Sequence, residues 1–316
     1  MKLFFKSLAG LLALLVVILL AVVAITWAPD RPVQSLTAQW APPPSQFIDL
    51  MGLRVHLRDE GPRDDPQPIV LLHGTSASLH TWDGWVAQLK GQRRVIRLDL
   101  PGFGLTGPWP DHDYGLDHYV RFMTAVLDQL GVKHCVVVGN SFGGGLAWEM
   151  AVALPQRVDR LVLIDSAGYA YKPESIPVGF RAAQMPALQP LVQRILPRSM
   201  VASSVRNVYA DPAKVTPELV NRYYELTLRE GNRLALHERF KQVRGGEHAA
   251  RIAQVKQPTF ILWGREDHLI PLALGERFHA DIAGSQMAVL DGLGHVPHEE
   301  DPARSLAAIQ PFLGLH

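Results

Sequence analysis

The apolar positions of this chain fall into three regimes. From Leu8 to Trp27 they are almost continuous and uncharged, and include the run LLALLVVILLAVVAI. That length meets the roughly 20 residues needed to cross a bilayer core. The missing polar stripe argues against a helix packed in a water-soluble core. From Ala28 to about Gln46 prolines are frequent, among them Pro42-Pro43-Pro44, which predicts a stiff, extended tether. From Phe47 the pattern turns globular. Phe47-Ile48-Asp49-Leu50 and Leu53-Arg54-Val55-His56-Leu57 alternate loosely around Met51-Gly52, as the arms of a hairpin do.

Short unbroken apolar runs follow at residues 68–72, 95–98, 135–138, 161–164, 259–262 and 287–290. Apolarity without alternation suits strands of a parallel sheet covered on both faces. Between two of them, Tyr119, Phe122, Met123, Val126, Leu127 and Leu130 recur at helical spacing, and Gly131 follows as a stop. Alternating strands and helices predict a doubly wound, mostly parallel α/β sheet. The alternation breaks between residues 169 and 247, where helical patterns at 217–228 and 234–243 lie among prolines. An interval that long is better read as a helical cap than as a loop. The expected organisation is a membrane anchor (1–27), a proline-rich linker (28–46), a core of residues 47–168 and 248–316, and the cap at 169–247.

Charge changes this picture only at the N-terminus. There are 31 basic and 30 acidic side chains for a net charge of +1, with no basic block that would suit a nucleic acid. Lys2 and Lys6 precede the apolar span, while Asp30 and Arg31 after it cancel. That excess predicts a single-pass protein with a cytoplasmic N-terminus and its globular part outside the cytoplasm. Cleavage of the segment would make the protein secreted, but no clean Ala-x-Ala site follows the span. The single cysteine, Cys135, excludes an intrachain disulfide and reads as a buried thiol.

The candidate chemistry centres on Gly139-Asn140-Ser141-Phe142-Gly143, between the strand at 135–138 and a helix starting near Gly144. In a strand–turn–helix setting this is a nucleophile elbow. A serine hydroxyl needs a base, and His295 in Leu293-Gly294-His295-Val296-Pro297 follows the last strand, on the side where such sheets bind ligands. The base needs a carboxylate, for which Asp267 in Trp263-Gly264-Arg265-Glu266-Asp267 is the first choice, with Glu266 and Asp165 as rivals. The oxyanion would be held by the amides of Phe142 and of Thr75 in His73-Gly74-Thr75. Gly74 lets the main chain approach the substrate, Val296 is a candidate to line its pocket, and His73 reads as structural. His112 and His118 lie near Asp111, Asp113 and Asp117, but that spacing suits a solvated loop rather than a metal site. No Gly-x-Gly-x-x-Gly follows the first parallel strand, so no dinucleotide is implied.

With these motifs in order the chain resembles the α/β-hydrolase superfamily from about Phe47 onward. The resemblance is carried by His73-Gly74-Thr75, Asp99-Leu100-Pro101-Gly102-Phe103-Gly104, residues 139–143, residues 263–267, and Gly294-His295-Val296-Pro297 with Glu300-Asp301-Pro302. It implies a Ser141–His295–Asp267 triad, a helical cap and a mechanism without cofactor or metal. Gly-Asn-Ser-Phe-Gly-Gly also looks like the elbow of carbon–carbon bond hydrolases that act on meta-cleavage products. Thr75-Ser76-Ala77-Ser78 and Val296 depart from that group, which usually has a glycine-rich loop and a tryptophan there. The expected activity is therefore hydrolysis of a small or medium hydrophobic ester. Carbon–carbon hydrolysis, or a ligand-binding relative without turnover, are the alternatives.

Overall fold

The computed structural model describes residues 2–315, with side chains for residues 10–18 and 20–315. One sheet organises it, formed by β1 (Gln46–Leu50), β2 (Leu53–Glu60), β3 (Ile69–Leu72), β4 (Val95–Leu98), β5 (Cys135–Asn140), β6 (Val158–Ile164), β7 (Thr259–Gly264) and β8 (Gln286–Leu290). The spatial order is β1-β2-β4-β3-β5-β6-β7-β8. β1 and β2 form the expected hairpin, β2 runs antiparallel to β4, and every later pairing is parallel.

Each unbroken apolar run serves two cores at once, because successive side chains point to opposite faces. Val70, Leu72, Val137, Leu161, Leu163 and Ile261 pack with Phe122, Met123, Leu146 and Met150 from the helices Leu116–Gln129 and Phe142–Ala153. Their neighbours Ile69, Leu71, Val136, Val138, Val162 and Leu262 face the other way, onto Trp82, Trp85 and Leu306. Cys135 opens β5 fully buried, and burial pushes its thiol up to about 12.

Between β6 and β7 the chain folds only into helices, chiefly Val178–Ala183, Arg198–Arg206, Pro217–Thr227 and Asn232–Gln242. Thr216 caps the third of these by accepting a hydrogen bond from the Leu219 amide at 3.2 Å. These helices build their own small core from Leu196, Val201, Val205, Tyr209, Val220 and Leu228, closed by Val296.

The proline-rich segment folds back onto this helical layer instead of standing away from it. Ala28 donates its amide to Arg194 O and Arg31 to Leu228 O. Arg233 grips the Asp30 carboxylate and the Ala28 carbonyl, and the helix Gln34–Trp40 buries Leu36 against Leu105 and Leu226. The prolines punctuate a docked path.

The expectation of a single-pass anchor needs correction. Among the described residues no helix is long and apolar enough to cross a membrane. The helix Lys2–Thr26 has described side chains only from Gly10 onward, a stretch shorter than the roughly 20 residues of a bilayer crossing. Lys2 and Lys6, on which the expected orientation rested, lie outside the described side chains.

Just beyond the end of β4, Asp99 holds the neighbouring loops in place. Its carboxylate accepts from the amides of Leu79 and Leu105, each at 2.8 Å, and pairs with His56 Nδ1 at 2.7 Å. The adjacent Leu100 amide donates to His73 Nε2, and His73 Nδ1 donates to Gly74 O at 2.7 Å. Asp99→Ala orphans these buried donors. A loss of about 3–5 kcal/mol is expected, read as a lower midpoint in chemical denaturation with unchanged slope.

Candidate active site

The turn after β5 is the most constrained point of the molecule. Ser141 sits at φ 56° and ψ −118°, and the helix Phe142–Ala153 begins at the next residue. A non-glycine residue there costs of order 1–3 kcal/mol and persists only where its surroundings enforce it. Here the Ser141 amide donates to Ile164 O, and its carbonyl accepts from Gly145 and Ala167. The closeness of the turn explains its glycines. A Cβ on Gly139 would lie 2.1 Å from Gly143 O, and one on Gly143 2.3 Å from Leu72 O.

His295 arrives on the loop after β8. Its amide donates to Val208 O at 2.9 Å, and its carbonyl accepts from Asn140 Nδ2 at 2.9 Å. Its Nδ1 pairs with Asp267 Oδ2 at 2.7 Å, both side chains being buried. Asp267 Oδ1 is fixed by the amides of Leu269 and Ile270, so the carboxylate has little freedom to turn. The rival Glu266 points to the surface, accepting from the Gly292 amide. Ser141 and His295 line one cavity of about 140 Å³, with Gly74, Thr75 and Val296 also in its wall. Among the described residues no direct hydrogen bond joins Ser141 Oγ to His295. Such contacts are often open before substrate binds.

Gly74 comes close enough that a Cβ there would sit 3.2 Å from Ser141 Cβ. Phe142 is the first residue of its helix, where an amide has no intrahelical acceptor. Among the described residues neither its amide nor that of Thr75 has a hydrogen-bond partner. Both are available to an oxyanion. His73 has both ring nitrogens engaged by backbone, donating to Gly74 O and accepting from the Leu100 amide.

Three residues make contacts at the site that the sequence reading did not assign to them. Asn140 clamps the His295 loop to the elbow. Glu300 accepts from the amides of Gly294, Ala210 and Asp211, tying that loop to the cap. The third is Asp165. It was weighed only as a rival acid, yet it lies with Asp267 and His295 in a cluster whose ligand atoms all fall within 4.8 Å. Only position within conspicuous motifs could have flagged the first two.

A family model described as alpha/beta hydrolase fold matches residues 67–302. The chain belongs to this family. A 2-hydroxymuconate semialdehyde hydrolase of Pseudomonas sp. strain CF600 is 31% identical over 289 residues, covering 87% of this chain and 95% of that protein. The meta-cleavage product hydrolase CumD of Pseudomonas fluorescens IP01 is 26% identical. It aligns with a TM-score of 0.74 over 85% of this chain and 97% of its own. A membrane phospholipase A structure aligns at a TM-score of 0.73 over 99% of this α/β-hydrolase and 98% of its own chain, and at 22% identity it speaks for the fold alone.

Burial, with the Asp267 carboxylate beside it, pushes Asp165 well above the usual carboxylate range. The folded protein therefore keeps a proton there that the unfolded chain releases, so stability falls as pH rises above the unfolded value. Asn keeps the oxygen that accepts from the Gly264 amide at 2.9 Å. Asp165→Asn should gain on the parent as pH rises above the ordinary carboxylate range, by up to about 1.4 kcal/mol per pH unit, in denaturation midpoints measured as a function of pH.

Proposed function

We propose that the chain is a serine hydrolase that cleaves esters of apolar acids. Ser141 Oγ attacks the carbonyl carbon and passes its proton to His295, while Asp267 holds the imidazole in the right tautomer. The amides of Phe142 and Thr75 take the oxyanion. Collapse expels the alcohol, which receives the proton from His295. Water, deprotonated in turn by His295, then releases the acid and restores Ser141.

The observation that carries this reading is the 2.7 Å pairing of His295 with a fixed, buried Asp267, in a cavity that also holds Ser141 on its strained turn. The lining supports an apolar acyl group. Phe180, Ile195, Leu196, Met200, Val201 and Val205 form much of the wall, and its ionisable members are Arg233, His295 and Tyr223. Arg233 is already committed to Asp30 and to the carbonyls of Ala28 and Val192.

The second reading is carbon–carbon hydrolysis, and the 31% identical semialdehyde hydrolase favours it. By its name, 2-hydroxymuconate semialdehyde is an acid. Among the residues that line the cavity the one arginine is committed in this way and there is no lysine, which weighs toward the neutral ester.

Purified parent is expected to label with a fluorophosphonate and to hydrolyse p-nitrophenyl butyrate. Ser141→Ala should lose both, by at least about 10³-fold in kcat. Turnover of 2-hydroxymuconate semialdehyde in preference to all esters tried would move the assignment to carbon–carbon hydrolysis. A folded parent inert toward probe and substrates would leave only a ligand-binding role. Asp267→Asn should lower kcat by about 10⁴-fold, whereas Glu266→Gln should track the parent in the same assay.

A further inference from the structure

The buried arginines of this protein follow a rule with one exception. Arg94 pairs with Asp59, Arg97 with Glu60, Arg58 with Asp83 and Arg233 with Asp30. Arg239, on the cap helix Asn232–Gln242, is 6% exposed and has no carboxylate in salt-bridge distance among the described residues. Its Nε has no hydrogen-bond partner either. Burial pulls its pKa down to about 10, which leaves it cationic at neutral pH. An unpaired buried charge is costly, and its position deserves a reason.

That position is specific. The guanidinium lies 3.7 Å from the centroid of the Phe142 ring and donates to Thr75 Oγ1 at 3.2 Å. It therefore touches side chains of the two residues whose amides are proposed above to hold the oxyanion, and no other arginine does so among the described contacts.

We propose that Arg239 is a positioning residue through which the cap fixes the Phe142 and Thr75 amides and adds positive potential where the oxyanion develops. The proposal rests on the serine-hydrolase reading above. The cation–π contact sets the Phe142 ring, already packed edge-on by Tyr119, and so the start of its helix. The hydrogen bond to Thr75 Oγ1 pins the other amide. An unpaired charge in a low-dielectric site is also felt more strongly than a paired one, and only negative charge arriving in the reaction would answer it.

The test uses the full chain as parent, Ser141→Ala, Arg239→Met, Arg239→Lys and Thr75→Val, with p-nitrophenyl butyrate as substrate. Two inhibitors separate the terms. A trifluoromethyl ketone adds to the serine and carries an oxyanion, whereas the matching methyl ketone stays neutral. Arg239→Met should lower kcat by about 10–100-fold with KM nearly unchanged, and should weaken the trifluoromethyl ketone by the same factor while leaving the methyl ketone alone. Arg239→Lys should restore most of the kcat, because it keeps the charge and the ring contact. Thr75→Val, which removes only the side-chain acceptor, should lower kcat several-fold even if Arg239→Met fails to fold. Parent-like kcat in Arg239→Met or Thr75→Val overturns the proposal. So does a loss spread equally over both ketones without rescue by lysine. If Ser141→Ala matches the parent, the serine-hydrolase reading itself falls, an outcome distinct from failure at Arg239.

Discussion

The left-handed backbone of Ser141 is the constraint around which the remainder of the structure is arranged. A serine held in that conformation would relax unless several neighbours prevented it. Here β6 takes its amide, the segment after β6 and the following helix take its carbonyl, and β3 presses against Gly143. The strand order makes this possible, since β5 lies between β3 and β6. A central strand buried on both faces is also the least free to shift. The enforced turn thus sits where the sheet is stiffest, and its hydroxyl is delivered to the cavity by the geometry of the whole core.

The cap bears on the same point from above. Val208, Ala210 and Asp211 are hydrogen bonded to the His295 loop directly or through Glu300. Arg239 reaches down to Thr75 and Phe142, and Arg233 reaches the other way to Asp30. The cap helices therefore do more than roof a hydrophobic cavity. They tie the His295 loop, the Thr75 loop and the N-terminal segment into one network. Natural exchange of cap sequences would be expected to disturb the chemistry as well as the selectivity.

Much of this was legible beforehand, for physical reasons. The strands announced themselves because residues such as Val136 and Val137 must both be apolar when each faces a different core. The elbow was legible because two glycines at fixed spacing answer a steric demand within five residues. Asp267 was the first choice from its place after β7, with family likeness in support, and it is Asp267 that pairs with His295. Contacts across long stretches of chain left no local trace. Nothing in Asp30 points to Arg233, some 200 positions on, and a proline-rich composition gave no hint of the buried Leu36. Nothing in the sequence around Arg239 marks it as buried without a carboxylate. The apolar N-terminal run suggested more than the described residues sustain.

Cys135 has a practical corollary. It is the chain's single cysteine, sits buried at the start of β5, and burial keeps its sulfur in the unreactive thiol form. The native protein is thus an almost silent background for maleimide chemistry. A cysteine introduced on the cap and another on the core could carry spectroscopic reporters without first removing the natural one. The separation of cap and core around Ser141 can then be measured by fluorescence or spin-label distances in an otherwise unaltered chain.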